Sequence, residues 1–360
     1  MAKAQIIETE DFLAANEWQA NHAQKNAAPC TARIIRAFPK VCAGNTATGR
    51  RITAWRGAFL KDAVPLRLAG GLHHLVLSGT DARLSRVYSG QITDQAAVDR
   101  LVCELVETYD HLLLAWLDGP PQTNEAGRGA AIMAGLLWAA QRVGPRLEVF
   151  ELGASAGINT MLDRYHFRLG KTAIGPVNSA MQIAPEWRGE RGPPAPPEDF
   201  KIVRVRGCDV APVDLRDPEA ALKLKAYVWP DAPGRLARID AAIELARQNP
   251  PDLVRQNADD FVDHILAQPQ ADGTTRALFH SIMWQYMPPS AQSRILTAME
   301  QAGSAATPDR PLAWVALESD PATLRHELWV RYWNGGQKDG EKCLLAIAHP
   351  HAAWVEWLGG

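Results

Sequence analysis

The sequence predicts an α/β fold: a mainly parallel, doubly wound sheet preceded by a mainly helical N-terminal domain over residues 1–145. Three observations carry this. Up to about residue 145 the clearest apolar pattern has helical spacing. From Leu147 onward, strand-like runs alternate with helix-like ones. At the junction, Leu147–Gly157 reads LEVFELGASAG: an apolar strand run ending in Glu151, a small-residue loop, then a helix-like segment over Ile158–Tyr165.

Thr9–Gln24 is a candidate helix, and Thr93–Leu117 is the clearest one, with Val98, Leu101, Val102, Leu105, Leu112 and Leu113 on one face and Thr93 as its cap. GLHHLVL at Gly71–Leu77 fits helix or strand equally. Pro120 and Pro121 stop the preceding helix, and Thr123 or Asn124 can cap a new one running to Val143. Gly144 and Pro145 then deliver the chain into the strand at Leu147. The proline- and glycine-rich RGERGPPAPPED (Arg188–Asp199) is loop, inside an insertion around residues 166–200. Strands are expected at Ile202–Arg206, Leu253–Arg255, Arg276–Met283 and Pro311–Leu317. Helices are expected at Asp217 onward, Gly234–Arg247, Asp259–Leu266 and Pro289–Gln301. His326–Trp333, the turn Asn334-Gly335-Gly336 and Lys342–Ala348 read as a C-terminal β-hairpin.

A chain of 360 residues is long for one core, so two domains are expected: 1–145 and 146–360. The net charge of −2 gives no basic surface for nucleic acid. No apolar run is long enough to span a bilayer, and MAKAQIIETEDF lacks the apolar core of a signal peptide, so a cytoplasmic protein that meets no membrane is expected. The five cysteines form no C-x-x-C pair and read as small buried thiols. His349 and His351 have no third partner at metal-ligand spacing, so no metal is expected.

The glycine loop is the leading functional candidate. Glycine lets a backbone approach a ligand where a Cβ would clash. A dinucleotide fingerprint starting at Gly153 fails, because Ser155 and Ile158 stand at its second and third glycines. The Walker pattern is absent. What survives is acidic-x-Gly-x-x-x-Gly from Glu151 through Gly153 to Gly157. Asp209 ends the next strand, in RGCDVAP, and its carboxylate offers only acceptors, which suits a diol; a turn aspartate is the plainer alternative. Asn257 and Asp259 follow a short strand and serve equally well as helix caps. His280, Trp284 and Tyr286 lie at the end of a further strand, the ligand edge of an open α/β sheet. There His280 suits a general base, and the aromatics suit stacking on a substrate; structural packing is the competing role. Asn124, Glu125 and Arg128 begin the helix that leads into Leu147, and could cover the cofactor edge or simply cap that helix.

The segments PPQTNEAGR, ELGASAGIN, RGCDVAPVDL and FHSIMWQYMPP together resemble a bacterial domain-of-unknown-function family. More distantly, Leu147–Ala348 is similar to class I S-adenosylmethionine-dependent methyltransferases, with Ser155 at their usual middle glycine. That resemblance implies a Rossmann-like methyltransferase fold with a seven-stranded sheet and late hairpin. It implies S-adenosylmethionine as cofactor and a small molecule as substrate. Gly153, Ser155 and Gly157 would border the methionine moiety, Glu151 would order its amine, Asp209 would hold the ribose, and Asn257 or Asp259 would read the adenine. His280 and Tyr286 would be the catalytic candidates, with Asn124, Glu125, Arg128 and Trp284 as lid or substrate residues. A non-catalytic, methyltransferase-like binding protein is the alternative.

Overall fold

The computed structural model describes residues 8–323 and 325–359. It divides into two units, Met1–Thr123 with Asp217–Asp240, and Asn124–Arg216 with Ala241–Gly360. This division runs differently from a cut at residue 145, and the reason lies in the helix Gly129–Val143. Thirteen of its residues are buried, on all sides. Such a helix belongs inside a core, and it packs on two strands of the large sheet described below.

The first unit is helical: Phe12–Lys25, Pro29–Arg36, Phe38–Ala43, Ala47–Thr53, Val64–Leu77, Gln95–Thr108, Asp110–Ala115 and, later in the chain, Pro218–Ala226. Capping sets several starts. The Asp11 side chain accepts from the N–H groups of Leu13 and Ala14. Asp94, rather than Thr93, caps the helix at Gln95, which ends near Tyr109 before a short second helix. The ambiguous Gly71–Leu77 run is helical. Asp231 returns to this unit and accepts from the backbone N–H of Cys30 at 2.6 Å and the Thr31 hydroxyl at 2.5 Å.

His73 is buried in this unit with Nδ1 3.0 Å from the Ala226 carbonyl. Burial is the main cause that lowers its pKa to about 4, partly opposed by that carbonyl. The folded state therefore binds fewer protons than the unfolded chain between pH 6.5 and 4, so stability falls as pH drops through that window. The loss from this group is about 2–3 kcal/mol by pH 4.5. His73→Gln should flatten the acid limb of a urea-unfolding series taken from pH 7 to 4.5. Parallel limbs for variant and wild type would overturn this.

Among the described residues the second unit has twelve strands: β1 (Arg146–Leu152), β2 (His166–Leu169), β3 (Thr172–Ile174), β4 (Gln182–Ile183), β5 (Glu186–Arg188), β6 (Lys201–Asp209), β7 (Leu253–Arg255), β8 (Thr275–Ser281), β9 (Leu312–Ser319), β10 (His326–Trp333), β11 (Cys343–Ala348) and β12 (Trp354–Trp357). Nine form one sheet in the order β5-β12-β11-β10-β9-β8-β1-β6-β7. The expected count was seven. The two additions, β12 and β5, extend one edge. β5 comes from the insertion, whose other strands make a small separate sheet, β3-β2-β4.

The block β7-β6-β1-β8-β9 is parallel throughout. β9, β10, β11 and β12 are then antiparallel neighbours, and β5 runs parallel to β12. The expected hairpin is the β10–β11 pair. Its turn is braced by the Asp339 carboxylate, which accepts from the N–H groups of Asn334 and Gly335. The helix Gly129–Val143 covers one face of the sheet. Gly135 permits that approach, since a Cβ there would stand 2.7 Å from Val315 Cγ1. The helices Ala258–Ala267 and Pro289–Ser304 cover the other face, over a core that includes Phe150, Leu152, Leu278 and Trp314. Among the described residues, no helix is long and apolar enough to cross a membrane.

Candidate ligand site at the strand ends

β1 lies at the centre of the parallel block. The chain next adds β6 and β7 on one side, then β8 and β9 on the other. That reversal of strand order is the topological switch point of an open α/β sheet, and the crevice beyond the carboxyl ends of such strands is where ligands bind. Glu151 and the glycine loop stand at the end of β1, Asp209 at the end of β6, and His280 and Ser281 at the end of β8.

The loop after β1 turns through three left-handed residues, Gly153 (φ 65), Ser155 (φ 52) and Gly157 (φ 71). A left-handed serine costs free energy that its surroundings must offset. Here the Ser155 N–H donates to Asp209 Oδ2 at 2.8 Å and its carbonyl accepts from Val213. Asp209 Oδ1 accepts from the Ala211 N–H at 2.8 Å. The Asp209 carboxylate thus ties the loops after β1 and β6 together, while each oxygen keeps acceptor capacity. The glycines act mainly through protein packing: a Cβ on Gly153 would stand 2.9 Å from Met283 Cε, and one on Gly157 2.6 Å from Pro251 Cβ.

The segment after the loop differs from expectation. Asn159–Arg164 is a six-residue 3-10 helix, too short to offer an extended dipole to an anion. The Ile158 N–H is already taken by Asn124 Oδ1 at 2.8 Å, so Asn124 caps this segment rather than its own helix. Glu125 caps the turn Ala126–Arg128 that opens the helix Gly129–Val143.

Polar groups gather beneath the loop. Strand alternation points Leu147, Val149 and Glu151 to one face of β1, and Phe150 and Leu152 to the core of the other. Glu151 is 1% exposed. Burial pushes its carboxyl well above the usual range, the nearby Asp209 charge adds to this, and Arg128 opposes it. Arg128 itself is buried and donates to the Pro350 carbonyl at 3.0 Å and the Ser281 carbonyl at 3.3 Å. Asn159 lies close enough to Glu151 to favour its charged form. Yet among the described residues no hydrogen bond of normal geometry reaches Glu151 Oε2, Ser155 Oγ or either side-chain polar atom of Asn159. Buried polar atoms are normally satisfied, so this cluster fits a polar ligand or ordered water.

His280 sits elsewhere. Leu278 and His280 share a face of β8, and Leu278 belongs to the core opposite Glu151. His280 is fully buried, stacked on Trp284 with ring centroids 5.2 Å apart and close to Trp314 and Trp329. Its Nδ1 lies 2.6 Å from Glu318 Oε1. A carboxylate only accepts, so Nδ1 carries the hydrogen. The same oxygen accepts from the N–H groups of Met283 at 3.1 Å and Trp284 at 3.3 Å. Those two donors converge because Ile282 between β8 and Met283 adopts φ 52, an outlying conformation for a β-branched residue. Sequence reasoning missed Glu318. Its one signal was that the apolar strand LAWVALES ends on an acid beside β8.

The other candidates are dispersed. Asn257 occupies the N-cap of Ala258–Ala267 but makes no side-chain cap hydrogen bond, and it is exposed. Asp259 is held by Arg294 at 2.9 Å, which also pairs with Asp260 and Asp263. Trp284 is half-buried, whereas Tyr286 is 72% exposed. The structure therefore brings Glu151, Ser155, Asp209, Asn124 and Arg128 together, with Asn159 as an addition, and sets His280 with Glu318 on the opposite face.

Sheet and site together define an α/β protein with a large, mostly parallel, Rossmann-compatible sheet and a cluster of buried polar groups at its switch point. The chain belongs to the family described as "uncharacterized protein conserved in bacteria (DUF2332)", which matches residues 14–357. No curated protein matches it significantly.

Proposed function

We propose that this chain is an S-adenosylmethionine-dependent methyltransferase acting on a small molecule. The observation that carries the reading is the set of unpartnered buried polar atoms on Glu151, Ser155 and Asn159 at the switch point. An amino-acid moiety fits these groups: an ammonium for the acid and the amide oxygen, a carboxylate for the amide N–H and the hydroxyl. Asp209 has acceptor capacity left for ribose hydroxyls, and Asn257 has a side chain without a cap bond to offer an adenine. When bound, the cofactor supplies an electrophilic methyl group. The chain's own part is to orient it and exclude water, and alignment alone can supply much of the rate. His280 is enclosed by Trp284 and engaged by Glu318, so no base is assigned to it.

One observation favours a second reading, a non-catalytic binding protein. The N–H groups of Ser155 and Ile158 are already occupied by Asp209 and Asn124, and Met283 fills the space beside Gly153. Calorimetry with S-adenosylmethionine and S-adenosylhomocysteine separates the two. The methyltransferase reading expects both to bind and native mass spectrometry of fresh protein to show a retained nucleoside. Failure of both ligands to bind at millimolar concentration sinks it.

A further inference from the structure

On the sheet face opposite Glu151, a groove of about 350 Å³ opens over the ends of β9 and β10. That volume is in the range of small-ligand sites. Its wall is a run of three indoles: Trp284 and Trp314 lie 5.6 Å apart, and Trp314 and Trp329 5.3 Å apart. Asp320 and Glu327 line it as well.

Two further features indicate what the groove accepts. The Lys342 ammonium sits 5.0 Å from the Trp329 ring centroid, so the indole wall already carries a cation. Trp314 is 1% exposed, and among the described residues its indole N–H has no acceptor. A buried donor without a partner suits a ligand oxygen.

We infer that this groove is a second binding site, for a small organic ammonium compound that carries a hydroxyl or similar acceptor oxygen. The ammonium group lies against the Trp329 and Trp284 faces, with Glu327 and Asp320 supplying negative charge. Its oxygen takes the Trp314 N–H. Lys342 competes for the same aromatic face and must swing out when the ligand enters.

Choline and its uncharged carbon isostere 3,3-dimethylbutan-1-ol serve as probes, with binding read by calorimetry and tryptophan fluorescence of the full chain. Choline is expected to bind at least about tenfold more tightly than the isostere, since only the cation gains from the ring faces. Trp329→Leu and Glu327→Gln should each weaken choline by about tenfold. Lys342→Met, at an exposed position, should tighten it several-fold by removing the resident cation. Equal affinity for the isostere, or unchanged or weaker choline binding in Lys342→Met, overturns the proposal, as does absence of binding to wild type and Lys342→Met at about 50 mM. The S-adenosylhomocysteine affinity of Lys342→Met should equal that of wild type, which keeps this test apart from that of the polar cluster beside Glu151.

Discussion

Glu318→Ala is expected to lower stability by about 3–5 kcal/mol, the scale for leaving several buried donors without an acceptor. One carboxylate oxygen accepts from His280 Nδ1 and from two successive backbone N–H groups. Alanine leaves all three donors without their acceptor in a region walled by indoles, and each buried unsatisfied group costs about 1–3 kcal/mol. The left-handed Ile282 also loses the bonds that offset its strain. Glu318→Gln keeps an acceptor oxygen for the backbone donors and should cost about 1–2 kcal/mol. Chemical denaturation measures both. An alanine variant within about 1 kcal/mol of wild type would show that the carboxylate is not the anchor of this strand end.

Glu151→Gln is expected to move stability and ligand affinity in opposite directions. Burial, more than the neighbouring Asp209, raises the Glu151 carboxyl. The folded state therefore holds this proton to a higher pH than the unfolded chain does. The group costs stability as pH rises above about 4.5, up to the point where the buried carboxyl ionises. Glutamine removes that cost. The variant should melt close to wild type at pH 4 and above it at pH 8. Its affinity for a ligand with an ammonium group should fall by about 10–100-fold, the worth of a charge-assisted hydrogen bond. Thermal melts across pH and calorimetry with S-adenosylhomocysteine are the two readouts. A variant less stable than wild type at pH 8 would mean that Glu151 is a structural anion.

Much of the sheet was legible because local sequence set it. Asn334-Gly335-Gly336 marked the turn between β10 and β11, and the apolar run after Arg276 matched β8. Proline and glycine bracketed the helix Gly129–Val143 and the insertion loop. The nine-stranded count was not legible, because β5 and β12 are three and four residues long and acquire strand character only by pairing with distant neighbours. The site was half legible. Glu151, Ser155 and Asp209 share one loop system and were found from spacing. Asn159 follows Gly157 closely, but nothing in its spacing marks it as a ligand group. His280 was correctly placed at a strand end, yet its face follows from sheet parity, which sets it opposite Glu151. Glu318 takes its meaning from β8, a different strand.

The parallel pairing of β5 with β12 has a kinetic meaning. Glu186 stands opposite Trp354, so the outermost edge joins residues separated by nearly half the chain. Loop-closure entropy must be met before such a contact stabilises anything, and folding slows as contacts become more distant in sequence. On the ribosome, β1 and β6 can pair as soon as residue 209 has emerged, while β5 waits for β12. Until then β5 and the free side of β11 are open edges, the surfaces through which a half-made sheet recruits wrong partners. The insertion thus supplies the edge strand that pairs last, and its arrival covers the free side of β12.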